Sequence, residues 1–451
     1  MSLLSRLGRE PARRRPAPPL EYSLLLTATL CLLALGAVMV FSASSATSLL
    51  AEGGGDGFYY LKRTVLFAGI GLLAMRFASG GGARVARVLT PVLVAVSLLL
   101  SLAVLVPGIG QTVNGSQRWL GAGLLTFQPS ELVKVALVLY GAHLLAAQPR
   151  RVRSVGDFGP LLIVTGLALL LIGLQPDLGT AMVTTAAVTC LLLVAGVRPR
   201  TLVPVGAVCA LAALALIATN PYQQERLTGF LAPGADPGGA GFQSIQAQIA
   251  LGSGGVMGVG LGESVQKAFY LPEAHTDMVA AVLGEEAGLA GMVVLIGLFG
   301  IFGYAGFRAA HRARDRYGKL LAAGLTSLIL CQAAINLFAV LGLAPLTGVP
   351  LPFVSYGGTN LVVTLFAAGL VLNVARRPVR AAGGARSPGR ARGSARGVGS
   401  AAAGDAARLR VLEGGGETRR RRAGSGSSGD SGRRHGGPRG ARDRRRRRAA
   451  R

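Results

Sequence analysis

Ten apolar runs recur between residues 22 and 375, and they leave the chain few ways to fold. They lie at 22–42, 59–78, 86–106, 130–147, 159–174, 178–196, 201–218, 277–306, 318–341 and 359–375, most of them close to the roughly 20 residues a helix needs to cross a bilayer. With 51% hydrophobic and only 15% charged residues, the chain is too apolar for a soluble domain. It is predicted to be an all-α polytopic membrane protein of about ten transmembrane helices, with both termini cytoplasmic. A cleaved signal peptide is the competing reading of the first run, but that run exceeds the usual 7–15-residue signal core. The four cysteines all fall inside apolar runs and suggest neither a disulfide framework nor a zinc site.

Basic residues test the topology, because Lys and Arg concentrate in cytoplasmic loops. With the N-terminus inside, Arg76, Arg84, Arg87, Arg150, Arg198, Arg308, Arg312 and Arg316 all fall inside, while only Lys62, Arg63, Arg118, Arg226 and Lys267 fall outside. Three parts follow: a basic N-terminal segment at 1–21, a membrane domain at 22–375 with a large extracytoplasmic loop at 219–276, and a tail at 376–451. The tail holds 23 arginines against 5 acids, so most of the net charge of +27 sits there. Its Gly/Ser/Arg composition cannot bury enough apolar surface to fold, which predicts disorder. Contact with anionic lipid headgroups suits such an arm, and specific nucleic-acid binding is not indicated.

The unusual polar stretches fall on the outer side. In "YLPEAHTDMVAAVLGEEAG" (270–288), Thr276 is placed to cap a helix that Asp277 begins, with Asp277 exposed at the outer rim. Ala281, Gly284, Gly288 and Gly291 would descend directly below Asp277 if the helix continued. Such a stripe suits close helix packing or a groove for an acyl chain. Glu285 and Glu286 lie deeper in the same run and need partners or a wet cavity.

Elsewhere on that side, Trp119 beside Arg118 fits an interfacial anchor or a stacking surface for a sugar. Glu131 and Lys134, three apart, are helix-surface neighbours suited to an ion pair. Asp177 in "QPDLGT" can cap the following helix. In "PFVSYGGTN", the glycines Gly357 and Gly358 can turn backbone N–H groups toward an anion at a helix start. The glycine-rich stretch 252–264 lacks Walker spacing and a preceding strand, so nucleotide binding does not follow.

Together, "VMVFSASSA" (38–46), "GSQRWL" (115–120), "QPSELVK" (128–134), "QPDLGT" (175–180), "YLPEAHTD" (270–277), "GEEAG" (284–288) and "PFVSYGGTN" (352–360) resemble the SEDS family of bacterial cell-wall synthases in order and spacing. Ala274 is more similar to the division branch than to the elongation branch, which tends to carry Arg at that position. The resemblance implies a peptidoglycan glycosyltransferase that polymerises lipid II on the outer face of the cytoplasmic membrane at the division septum. It implies Asp277 as the general base of an inverting reaction. Arg118, Lys134, Gly357 and Gly358 are then candidates for the departing diphosphate, with a divalent cation, Mg or Mn, left open. Trp119, Glu131, Glu273, His275, Ser355 and Tyr356 are further candidates for substrate binding, and Asp177, Glu285 and Glu286 for structural or cavity roles. The implied partners are a class B penicillin-binding protein (a transpeptidase) and other divisome proteins. A lipid II flippase and a non-catalytic divisome scaffold are the alternatives.

Overall fold

The computed structural model describes residues 19–49, 56–113, 116–122, 125–148, 155–267 and 270–376. The basic segment before residue 19 and the tail from 377, for which disorder was expected, lie outside the described residues. The described chain runs α1 Leu20–Leu49, α2 Tyr59–Phe77, a π-helical turn Ala78–Gly82, and α3 Ala83–Val104. Three short strands follow, β1 Gly110–Val113, β2 Ser116–Ala122 and β3 Leu125–Phe127, and then α4 Pro129–Ala147, α5 Val155–Leu174, α6 Leu178–Ala195 and α7 Pro199–Thr219. Two further helices, α8 Pro221–Leu231 and α9 Phe242–Ser253, lie in the segment expected to be a large loop. The chain closes with α10 Val279–Glu286, α11 Gly288–His311, α12 Arg316–Val340 and α13 Gly358–Ala375.

Local chemistry sets these boundaries. Proline opens α4, α7 and α8 at the first helical position, where its missing N–H costs nothing. Asp177 caps α6 by accepting from the Thr180 amide at 3.1 Å, and Gly196 ends that helix in the left-handed region at φ +98°.

Nine helical stretches among the described residues are long and apolar enough to span a membrane, and one of them, Tyr59–Val104, is 46 residues long. At 1.5 Å per residue it would be about 70 Å if straight, twice a ~30 Å hydrocarbon core. Its contacts show that it doubles back. Tyr60 packs on Tyr356 at one end of the bundle, Ser79 at the π turn accepts from Asn373 at the other, and Ser101 near the end of α3 accepts from Gln175. The run therefore holds two spans, giving the ten expected. Burial orders them: 78% of the span in α13, 72% in α12 and 67% in α4 is enclosed, against 6% in α7. The first three form the centre, and α7 lies at the periphery.

The two ends of the bundle differ in chemistry. At one, Glu21 pairs with Arg308 at 2.9 Å and Arg312 at 2.5 Å, and Arg316 donates to the Gln148 carbonyl. At the other lie the three-stranded antiparallel sheet, α8, α9 and the segment 270–278. The sheet, in the order β1-β2-β3, lies between the apolar runs 86–106 and 130–147.

The apolar run 277–306 is not one helix. It breaks between Glu286 and Gly288, where Gly288 adopts φ +63°. The glycine-rich segment before it makes the break tolerable: Val259 and Gly260 donate to the Glu285 and Glu286 carbonyls at 3.0 and 3.1 Å, while Leu289 and Ala290 donate to Gly255 and Val256 at 3.0 Å. The orphan groups of both helix ends are thereby satisfied by a chain threaded between them. A Cβ at Gly288 would meet the Gly258 backbone. Gly288→Ala is accordingly expected to destabilise the fold by about 1–3 kcal/mol or more, through the left-handed backbone alone, read as a lowered unfolding midpoint in detergent. The predicted stripe of small residues below Asp277 does not exist as a groove. Asp277 precedes α10, Gly284 faces Leu251, and Gly288 holds the threaded loop.

Candidate functional site

Four polar clusters gather the residues singled out by the sequence. The first surrounds Asp277. The chain turns sharply at Glu273, which takes φ +55°, and the Thr276 amide closes the turn on the Glu273 carbonyl at 3.0 Å. Thr276 does not cap the helix; its hydroxyl lies 3.0 Å from Glu273 Oε2 and 3.3 Å from Asp277 Oδ1, and α10 starts from Met278 without a side-chain cap. Asp277 was expected to stand exposed, yet it is only 6% exposed. Its carbonyl is fixed by Asn336 Nδ2 at 2.8 Å, and the same amide holds the Val349 carbonyl at 2.9 Å. Burial pushes the Asp277 carboxyl up to about 6; Arg226 pulls it down, and Glu273 pushes it further up. Arg226 comes from α8, stacks 4.7 Å above the Tyr222 ring and donates to the Leu346 carbonyl at 2.9 Å.

His275 joins this cluster from the other side. Its ring lies 4.2 Å from Tyr60 and 5.5 Å from Tyr356, and its carbonyl accepts from the Tyr356 amide at 2.9 Å. Burial lowers the His275 pKa against the opposing pull of Glu273, which favours the neutral imidazole near pH 7. "HTD" and "SYGG" thus form one surface. Ser355 serves the backbone, its hydroxyl accepting from the Leu351 amide at 2.8 Å. Gly357 is extended, and Gly358 opens α13 against Phe67, whose ring leaves no room for a side chain there.

The second cluster is enclosed. Lys134 Nζ pairs with Glu131 at 2.9 Å and donates to Gln332 Oε1 at 2.8 Å, with both charged residues 2% exposed. Gln332 passes the chain of hydrogen bonds to Asn360 and the Pro350 carbonyl, each at 2.9 Å. Gln332 and Asn336 stand one turn apart on α12, so a single helix face holds Lys134 with one amide and Asp277 with the next.

In the third cluster, Arg118 Nε donates to the Gln175 carbonyl at 3.1 Å, and its Nη2 to Ser116 and the Pro176 carbonyl. Asp177 lies 3.8 Å away and also accepts from Gln128 at 3.2 Å. Arg118 and Lys134, expected against a diphosphate, both donate to protein partners in this structure. Trp119 sits opposite Gln111 in β2. Strand alternation turns it away from Arg118, so the two do not form a joint sugar platform.

The fourth cluster answers the requirement for partners at the deep acids. Glu286 binds Lys267 at 2.8 Å and Ser42 at 2.6 Å; Glu285 accepts from Ser264 at 2.5 Å and from the Val265 amide at 3.0 Å. Ser42 and Glu286 come from two of the sequence motifs, "VMVFSASSA" and "GEEAG". Among the described residues no three His, Cys, Asp or Glu side chains form a metal-holding group.

A family model described as "Cell cycle protein", covering FtsW, RodA and SpoVE, matches residues 22–379. The chain belongs to this family. Its relatives include the stage V sporulation protein E of Bacillus subtilis, 40% identical over 354 residues, which span 78% of this chain and 96% of that protein. They also include a probable peptidoglycan glycosyltransferase FtsW of Geobacter sp., 39% identical over 355 residues, with 78% and 96% covered. Among solved structures, one from a study of how a peptidoglycan synthase complex coordinates polymerization and crosslinking matches with TM-score 0.64 at 34% identity, covering 78% of this chain and 96% of that one. Thermus thermophilus RodA matches with TM-score 0.58 at 30% identity, covering 79% and 97%. This confirms the resemblance read from the motifs and the ten-span fold. Sequence reasoning missed Arg226, Lys267, Gln332 and Asn336 as parts of these polar clusters. The two amides carried a usable signal, being polar side chains four residues apart inside an apolar span; the two cations stood out only as rare positive charges on the outer side.

Proposed function

We propose that the protein is a peptidoglycan glycosyltransferase that polymerises lipid II on the outer face of the cytoplasmic membrane during septal wall synthesis. The observation that carries this reading is the Asp277 carboxyl: buried, raised to about 6, held through its backbone by Asn336 and opposed by Arg226. A base must accept a proton at neutral pH and return it readily, which favours a pKa near the working pH. Asp277 takes the proton of the acceptor hydroxyl as that oxygen attacks the anomeric carbon, and the lipid diphosphate leaves with the electron pair of the broken bond. One displacement turns an α-linked donor into a β-linked product, so no glycosyl-enzyme intermediate is formed. Negative charge grows on the diphosphate, and we propose Arg226, whose charge already acts on Asp277, and the Gly357-Gly358 turn as the groups that meet it. If the reaction uses Mg or Mn, Glu273 and the diphosphate oxygens supply the hard donors such an ion takes, and titration with a chelator reads this out.

Two results test the proposal. Purified protein should polymerise labelled lipid II, whereas transbilayer transfer without polymer would instead make it a flippase. Glu285, Glu286 and Lys134, which a transport path would use, are held in hydrogen-bonded pairs, and this supports the polymerase reading. The rate should also rise with pH through about 6 and flatten above it, because Asp277 acts as a base only when ionised. A rate independent of pH between 5 and 7 would remove Asp277 from that role. The relative from a complex that coordinates polymerization with crosslinking supports a cross-linking partner, for which we propose a class B penicillin-binding protein within the divisome. Adding that partner should raise the polymerisation rate.

A further inference from the structure

The basic end of the bundle contains a cavity that the reaction at Asp277 does not use. It encloses about 240 Å³ where α3 and α12 begin and α13 ends, and its lining includes Arg84, Arg87, Arg314, Asp315, Tyr317 and Asn373. Among the described lining residues three are arginines and one is acidic. Arg87 lies 4.7 Å above the Tyr317 ring. Tyr317 is 6% exposed, yet its hydroxyl has no hydrogen-bond partner among the described residues. A buried hydroxyl left unpaired is unusual, and beside clustered arginines it points to a ligand with acceptor oxygens. The first turn of α12 adds to this, because Asp315 makes no side-chain cap and the N-terminal amides favour an anion.

We propose that this cavity binds a phosphate group, presented by an anionic phospholipid of the cytoplasmic leaflet. Arginine forks match phosphate oxygens, and the Tyr317 hydroxyl donates to one of them. A lipid source is favoured by what lies beside the cavity. Val85, Val88, Leu89 and Val92 on the first turns of α3 are exposed and apolar, giving acyl chains a surface that starts at the rim. The expected attraction of anionic lipid to the arginine tail is a separate matter, since this site is argued from described residues of α3, α12 and α13 and the turn before α12.

The test is lipid retention by the full chain released from nanodiscs, read by native mass spectrometry after a wash in about 1 M salt, where the Debye length falls to ~3 Å and exposed charges are screened. Phosphatidylglycerol should stay bound and phosphatidylcholine should not. Retention should fall roughly tenfold in Arg84→Gln/Arg87→Gln, the scale of losing charge-assisted contacts, and should be unchanged in Arg198→Gln/Arg200→Gln at the start of α7. Tyr317→Phe separates binding from folding. Because it removes a hydroxyl that has no partner, it should leave the unfolding midpoint in lipid-free detergent unchanged while reducing the rise that phosphatidylglycerol produces. Equal retention by the Arg84/Arg87 variant, or an undiminished lipid-induced rise in Tyr317→Phe, overturns the site. Should millimolar inorganic phosphate protect the protein as well as the lipid does, the phosphate site stands and its lipid source is overturned.

Discussion

Asp277→Asn is expected to reduce lipid II polymerisation by about 10²- to 10⁴-fold, the range that a positioned general base contributes. Asparagine keeps the size of the side chain and leaves the backbone bond from Asn336 in place, so it removes the proton acceptor and little else. The substitution should also fail to destabilise the protein. A carboxyl whose folded pKa is raised from 3.8 to about 6 favours the folded state while protonated, and that advantage is lost as pH rises through this window. At pH 7 the loss is on the order of 3 kcal/mol, a net figure that already contains the opposing pull of Arg226. Asparagine carries no such penalty. Loss of activity with an unfolding midpoint at or above the parent's identifies a chemical role. Loss of both would make Asp277 a structural residue, and retained polymerisation would mean that another group takes the proton.

The spans were legible because a bilayer imposes a length and a hydrophobicity that few other folds require. The gathering of basic residues at one end was legible because arginine is unevenly placed, and Glu21 meets Arg308 and Arg312 there. The Glu131–Lys134 pair was readable for a related reason, since a three-residue spacing inside a true helix has a fixed geometry. The same helical arithmetic failed after Asp277. It assumes that the helix begins where the apolar run begins and continues to its end, whereas α10 starts two residues later and stops at Glu286. That interruption is created by residues 254–260, some thirty positions upstream, whose glycine backbone supplies the missing hydrogen bonds. Glycine richness marked the segment as unusual but could not say what it would pack against. The partners of Arg118 and Lys134 were hidden for a comparable reason: a cation in an outer segment looks available until the Gln175–Pro176 carbonyls and Gln332 are brought in from distant parts of the chain.

Lys267 carries the second large expected effect. Its ammonium donates to Glu286 at 2.8 Å, Ser42 at 3.0 Å and the Gly262 carbonyl at 2.7 Å, all within an interior where its side chain is 6% exposed and that of Glu286 is fully covered. Lys267→Met leaves the Glu286 carboxylate buried with only the Ser42 hydroxyl, and breaking a buried pair in this way typically costs 3–5 kcal/mol. The loss should spread to activity, because the Lys267 loop leads into the site segment, where the Leu271 amide is tied to the Gln266 carbonyl at 2.8 Å. The double variant Lys267→Met/Glu286→Gln distinguishes charge from packing. With no uncompensated charge left, it should recover most of the stability, as buried ion pairs replaced by neutral groups often do, and the two substitutions should be strongly non-additive. Unfolding midpoints of the four variants in one detergent form the cycle. Additive losses would mean that Lys267 contributes through its methylene stem rather than its charge, and an unchanged single variant would show that Glu286 is satisfied without it.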